Sequence, residues 1–373
     1  MKAVDWVFLL VILSVVAGCK RVSDGNNTSL PVLDMGATIG KQVPDTFTWN
    51  SVAKKITYVP ISTSLDALFG SAQLVHIDND FYCMVDHQTG TIFYSDKTGK
   101  IIHSFSRKGQ GPGEYAGLTY VSMNSEDSTI RVFDQRSEKY IVYDLAGNCL
   151  KETLMKDKGL NTIHLLSNDF AVAKGRTAGN HKLFITDEDL NIRKNLFPLD
   201  TTLTEMERLS MIWQLNYCRN RDRLIVHFAN EDTVFSVTKN GAQPVCIFKK
   251  GKYTLPEEDA KKPMEITPSP YIRSMWFSSV SDYYLITYLF ENNIYDEIWS
   301  RTDARIVSRL LCENGEWGFP FCLPSGKKVL LNTRSLYIKD NIVASFIDAA
   351  TAAEEGIADV GEDDNPVLVV MEL

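Results

Sequence analysis

Long apolar runs are missing from this chain of 373 residues. The best of them, residues 6–16, falls well short of the roughly twenty residues that a membrane-spanning helix takes. Basic charge is scarce as well: 39 Lys and Arg stand against 47 Asp and Glu, a net charge of -8. No broad cationic surface is available to displace counterions from a phosphate backbone, which removes nucleic acid from the expected partners. His76, His87, His103, His164, His181 and His227 stand singly, without the paired spacing of a zinc site, and the seven cysteines contain no C-x-x-C. Gly109, Gly111 and Gly113 have the look of an anion loop, yet neither Gly-Lys-Ser/Thr nor a helix signal follows them. There is no Gly-x-Ser-x-Gly elbow, and Ser95-Asp96 has the wrong order for a sialidase-type Asp box. No cofactor, metal ligand or catalytic residue is therefore expected from motifs, although carboxylates from separate strands could still converge.

What is present begins at the amino end. Residues 6–16 lead into Val16-Ala17-Gly18-Cys19. A short apolar core before small residues fits a cleaved signal peptide, and small residues before a Cys resemble the lipobox of bacterial lipoproteins. That resemblance implies removal of residues 1–18 and a diacylglyceryl group on Cys19, since two acyl chains hold a soluble domain at a membrane where one does not. Lys20 and Arg21 give no inner-membrane retention signal, so the expected address is an outer membrane lipoprotein, in the periplasmic or cell-surface leaflet. Residues 19–46, rich in Ser, Asn, Asp, Gly and Pro, read as a flexible tether. Residues 47–373 read as one folded body in a chain that is 44% hydrophobic and 10% aromatic. Cys83, Cys149, Cys218, Cys246, Cys312 and Cys322 read as free, buried thiols, although export permits disulfides.

Two stretches repeat. Residues 86–99 and 134–147 each hold two Asp ten positions apart, a β-branched or aromatic run before the second Asp, and a Gly three residues after it. The pattern predicts strand, polar turn, strand, tight turn. Strands at 74–77 and 120–123 precede the two copies, and strands at 101–105 and 149–154 follow them. Weaker copies at 170–174 with 183–187, 224–228 with 234–238, 283–290 with 294–300, and 328–332 with 336–338 bring the count to six. The expected fold is all-β: a six-bladed β-propeller of four-stranded antiparallel blades. Residues 56–61 and 367–373 have nothing nearby to pair with, so they are expected to share a blade and close the ring, leaving no lateral edge. A large β-sandwich is the alternative.

Arg107-Lys108-Gly109-Gln110-Gly111-Pro112-Gly113-Glu114-Tyr115 resembles a signature of the six-bladed β-propeller lipoproteins of Bacteroides-type bacteria, relatives of NHL-type propellers. Asp364-Asn365-Pro366-Val367-Leu368-Val369-Val370 resembles that family's closing strand. The resemblance implies fold and address rather than an activity. Arg107, Glu114 and Tyr115 are candidate ligand contacts on a blade connector, because loops carry function on rigid scaffolds. Trp213, Trp276 and Trp317 fall near blade boundaries, where flat rings could stack on a sugar or peptide; packing between blades is the bland alternative. The acidic run at 359–364 reads as a solvated turn and 254–264 as a short helical insertion. The expected function is that of a monomeric, lipid-anchored binding or interaction module for a glycan, a peptide or another envelope protein. A propeller hydrolase or lyase acting on extracellular carbohydrate is the alternative, recognisable by carboxylates of raised pKa at the channel mouth.

Overall fold

The computed structural model describes residues 29–64, 67–167, 170–175, 180–220, 223–262, 269–312, 317–333 and 335–373, apart from the side chains of Ser167, Arg219, Asn220 and Ser274. Cys19 and the expected signal peptide lie outside the described residues.

Along Pro31–Leu373 the described strands form six four-stranded antiparallel blades, with a two-stranded hairpin between the fifth and the sixth. Blade 1 is Ala72–Ile77, Phe81–Asp86, Thr91–Asp96 and Ile101–Ser106; blade 2 is Tyr120–Asn124, Thr129–Asp134, Lys139–Asp144 and Cys149–Leu154. Blade 3 is Leu160–Ser167, Phe170–Gly175, His181–Thr186 and Ile192–Pro198; blade 4 is Leu215–Asn220, Arg223–Phe228, Thr233–Thr238 and Gly241–Phe248. Blade 5 is Ser269–Val280, Tyr283–Glu291, Asn293–Ser300 and Ile306–Cys312. Blade 6 joins Tyr337–Lys339, Ile342–Ile347 and Val367–Glu372 to the amino-terminal strand Lys55–Pro60, with Tyr58 opposite Val369. The ring is thus closed as expected, and the β-propeller stands.

The blades cohere because side chains alternate across each strand and both faces are buried. On Phe81–Asp86, Cys83 and Val85 pack toward Val121 and Ile130 of blade 2, while Tyr82 and Met84 pack toward Ala344 and Leu368 of blade 6. Four further apolar clusters continue the circuit. Phe133 meets Ile163, Leu183 meets Val226, Ile225 meets Ile286, and Leu285 meets Val343. Six clusters between six blades leave no open side.

The repeated Asp residues tie turns to this frame. Asp86 Oδ1 accepts from the Gln88 amide of its own turn at 3.2 Å and from Ser71, just ahead of blade 1, at 2.7 Å. Asp134 does the same in blade 2, accepting from Arg136 at 2.9 Å and from Ala116 at 2.6 Å. The later Asp of each copy closes the outer turn: Asp144 accepts from the Asn148 amide at 2.8 Å and Asp187 from the Asn191 amide at 2.8 Å.

Three expectations are corrected. The flexible tether does not extend to residue 46, because Val32–Leu33 adds as a parallel strand beside Ile247–Phe248 and Leu33 and Met35 are buried. Two apolar residues are too few to show periodicity, yet they fill the outer edge of blade 4. The last copy is also paired differently: Lys328–Leu331 runs against Phe319–Cys322, not against the strand near residue 337. Its turn at Leu323 to Gly326, with Gly326 at φ 91° and donating to the Leu323 carbonyl at 2.8 Å, makes a hairpin whose Phe319 and Phe321 wedge between blades 5 and 6. The six described cysteines are free thiols; Cys83 and Cys246 are buried, whereas Cys149 is exposed.

Candidate functional site

The glycine-rich connector is a strut between blades 1 and 2. Tyr115 is fully buried; its hydroxyl donates to the Gly90 carbonyl at 2.8 Å and accepts from the Arg107 amide at 3.1 Å. Arg107 Nε donates to the Gly147 carbonyl at 2.7 Å, and Glu114 accepts from the Gly111 amide at 2.8 Å. Lys139 and Tyr143 of blade 2 reach back to the Gly111 and Gly113 carbonyls at 2.7 and 2.9 Å. The Tyr115 hydroxyl and Arg107 Nε are thus committed to the frame, whereas the Glu114 carboxylate folds back on its own connector.

The three tryptophans behave differently. Trp213, Trp276 and Trp317 line one cavity of about 230 Å³, together with Gln214, Asn216, Ala229, Arg273, Met275, Thr287, Leu289 and Thr333. Its walls come from blades 4 and 5 and the segments flanking the wedge hairpin. The lining lies toward the start of the first strand and the end of the second in these two blades, where Leu215 pairs with Phe228 and Arg273 with Leu289.

Local structure explains how each wall is placed. Thr204 caps the helix Glu205–Trp213, accepting from the Glu207 amide while the Glu207 side chain accepts from the Thr204 amide. That helix ends at Trp213, which is 56% exposed at the rim, and delivers Gln214 inward. Along the inner strand of blade 5 the register slips between Ser274 and Trp276, leaving Met275 as the extra residue of a bulge. A bulge re-aims side chains next to a site, and here it brings Arg273, Met275 and Trp276 to one wall. Strict alternation would have kept Met275 on the face of Arg273 and sent Trp276 to the opposite one.

The polar wall carries unused capacity. Gln214 is 7% exposed and its Nε2 donates to the Ala260 carbonyl at 2.7 Å, which leaves Oε1 buried without a partner. Arg273 Nε is likewise buried without a partner. Behind the cavity Thr287 donates to Asp296, which also accepts from the Gly318 amide at 2.7 Å and the Cys312 thiol at 3.1 Å. Burial pushes the Asp296 carboxyl up, against the pull of those hydrogen bonds. Burial also pushes up its neighbour Glu297, opposed by Arg309 at 2.6 Å, Tyr288 at 2.7 Å and Trp299 at 2.8 Å. Neither carboxylate lines the cavity.

Sequence reasoning brought forward the tryptophans and missed Gln214, Arg273 and Thr287. Their one signal was polarity, at a helix end for Gln214 and inside strand runs for Arg273 and Thr287, which says nothing about where a side chain points.

A family profile described as a domain of unknown function, DUF4934, matches residues 30–372. The chain belongs to the DUF4934 family. No curated protein matches it. Among solved structures this DUF4934 chain is similar to a Bacteroides fragilis protein classed as exported, with 13% identity, a TM-score of 0.61, and coverage of 89% of this chain and 98% of that one. A member of the DUF4221 family from Bacteroides vulgatus follows, with 10% identity, a TM-score of 0.47, and coverage of 86% and 96%. The virginiamycin B lyase of Staphylococcus aureus has 12% identity, a TM-score of 0.44, and coverage of 86% and 99%. The first of these likenesses supports the fold of the DUF4934 chain; the other two carry no argument. The resemblance to Bacteroides propellers is met at that level.

Proposed function

We propose that this DUF4934 propeller is a binding module of the cell envelope, held at the outer membrane through lipid on Cys19, with its ligand in the three-tryptophan cavity. One observation carries the reading: three tryptophans from separate chain segments converge on a single pocket whose polar wall has unpaired donors and acceptors. Aromatic faces with a few placed polar groups suit a sugar ring or a peptide side chain. The rival hydrolase reading needs carboxylates facing the ligand, whereas Asp296 and Glu297 sit behind the wall, saturated by their own partners. No helix among the described residues is long and apolar enough to cross a membrane, which is compatible with attachment through a lipid.

Titration of the full chain with glycan and peptide panels, read by tryptophan emission, tests the cavity. Trp276→Ala is expected to weaken any bound member about tenfold or more. A ligand whose affinity is untouched by both Trp276→Ala and Trp317→Ala would overturn this site. Cys19→Ala is expected to abolish incorporation of labelled lipid, and lipid retained on that variant would remove the anchor.

A further inference from the structure

The electrostatics of the cavity go beyond stacking. Arg273 is the one charged residue among the described residues that line it. Its Nε is buried without a partner, and no ion pair to it is found among the described residues. A guanidinium offers five donors in a fixed fork that matches a carboxylate, and a buried donor left unmade is costly. The fold instead spends its Asp and Glu elsewhere: Asp296 on Thr287 and Gly318, Glu297 on Arg309.

Gln214 adds a second constraint. Its amide orientation is fixed, because the group facing the Ala260 carbonyl at 2.7 Å must be the NH2. Oε1 is then an acceptor in the cavity wall with no donor. The same cavity is lined by Trp276 and Trp317 and by the apolar side chains of Met275 and Leu289. A ligand that completes this wall needs a flat or ring-shaped body, an anionic oxygen pair for Arg273, and an O–H or N–H for Gln214.

We infer that the cavity recognises a ring bearing a carboxylate, its acid group paired with Arg273 and a neighbouring hydroxyl or amide given to Gln214. The inference rests on the binding reading above and deepens it by naming the ligand class. Two sources supply that chemistry, the uronic acids of acidic polysaccharides and small aryl carboxylates.

The test uses charge-on and charge-off pairs with the full chain: digalacturonate against galactobiose, and 3-hydroxybenzoate against 3-hydroxybenzamide, followed by quenching of tryptophan emission. The acid of at least one pair is expected to bind about tenfold or more tighter than its neutral partner, and the pair that responds identifies the source. Arg273→Gln is expected to erase that preference with the melting temperature unchanged, and Arg273→Lys to restore part of it. Equal or stronger binding of the neutral members, or an acid preference that survives Arg273→Gln, overturns the inference; neutral binding that depends on Trp276 would leave the stacking site intact. Quenching by none of the four probes overturns the inference, and failure of the glycan and peptide panels as well would overturn the site itself.

Discussion

His227 gives the propeller a built-in sensitivity to mild acid. It lies on the second strand of blade 4, is 2% exposed, and places Nε2 2.8 Å from the Glu231 carbonyl. A carbonyl only accepts, so Nε2 carries the proton of a neutral ring. Burial, with a smaller push from the Lys250 ammonium, lowers its pKa to about 3, against the opposing hydrogen bond to Glu231. An unfolded histidine titrates near 6.5. Because the folded pKa is depressed, the unfolded chain binds a proton that the folded chain refuses, and stability is lost as pH falls below the unfolded value. At about 1.4 kcal/mol per pH unit, moving from pH 7 to pH 5 costs roughly 2 kcal/mol. With an unfolding entropy of about 2 cal/mol/K per residue over a domain of this size, that is a fall of about 3 °C in melting temperature. The lowered carboxylates Asp86, Asp144 and Asp187 lose their contribution only below about pH 4, as pH drops through their folded values, so they leave this window clear. His227→Gln keeps a donor for the Glu231 carbonyl and removes the titration. Thermal unfolding of both proteins at pH 5, 6 and 7 should show the parent falling about 3 °C further than the variant. Parallel shifts in the two, or an NMR titration placing His227 near 6.5, would refute the reasoning.

Two further outcomes follow from the frame. Gly99 has φ 92°, and a Cβ there would stand 2.0 Å from the Pro60 carbonyl oxygen, on the strand that closes the ring. Gly99→Ala is expected to lower stability by roughly 2 kcal/mol or more, read as a loss of denaturant midpoint; an unchanged midpoint would mean that blades 1 and 6 do not approach this closely. Arg309 binds Glu297 at 2.6 Å and also donates to the Thr38 carbonyl at 3.0 Å and the Thr38 hydroxyl at 2.6 Å. Arg309→Met is expected to cost about 3–5 kcal/mol by leaving Glu297 buried and unpaired, and to expose residues 38–46 to protease; resistance equal to the parent would show that this clamp is idle.

Legibility followed the turn chemistry. Blades 1 and 2 were readable because Gly99 and Gly147 occupy left-handed positions, at φ 92° and 83°, where glycine advertises the turn. The same backbone position in blade 3 is held by Leu190 at φ 62°, and blade 5 has Ala304 at φ 55°, so the repeat fades in the sequence while persisting in space. Closure was readable from two strand-like ends without neighbours. The wedge hairpin was not, since the apolar runs at 328–332 and 336–338 looked like each other's partners, whereas Phe319 and Phe321 supply the true one. Of the cavity, the tryptophans were visible by type alone. That they meet depends on a bulge at Met275 and a helix end at Trp213, and neither leaves a mark in composition.

The pairing of Lys55–Pro60 with Val367–Glu372 sets an order of events. A polypeptide that emerges amino end first presents its opening strand more than three hundred residues before that strand's partner exists. Until the final residues arrive, Tyr58 and its neighbours offer unpaired amides and carbonyls to any passing β-edge. Assembly of the sixth blade therefore waits for the whole chain, and a product cut short near Asn365 would be left with an unfinished ring and a sticky seam.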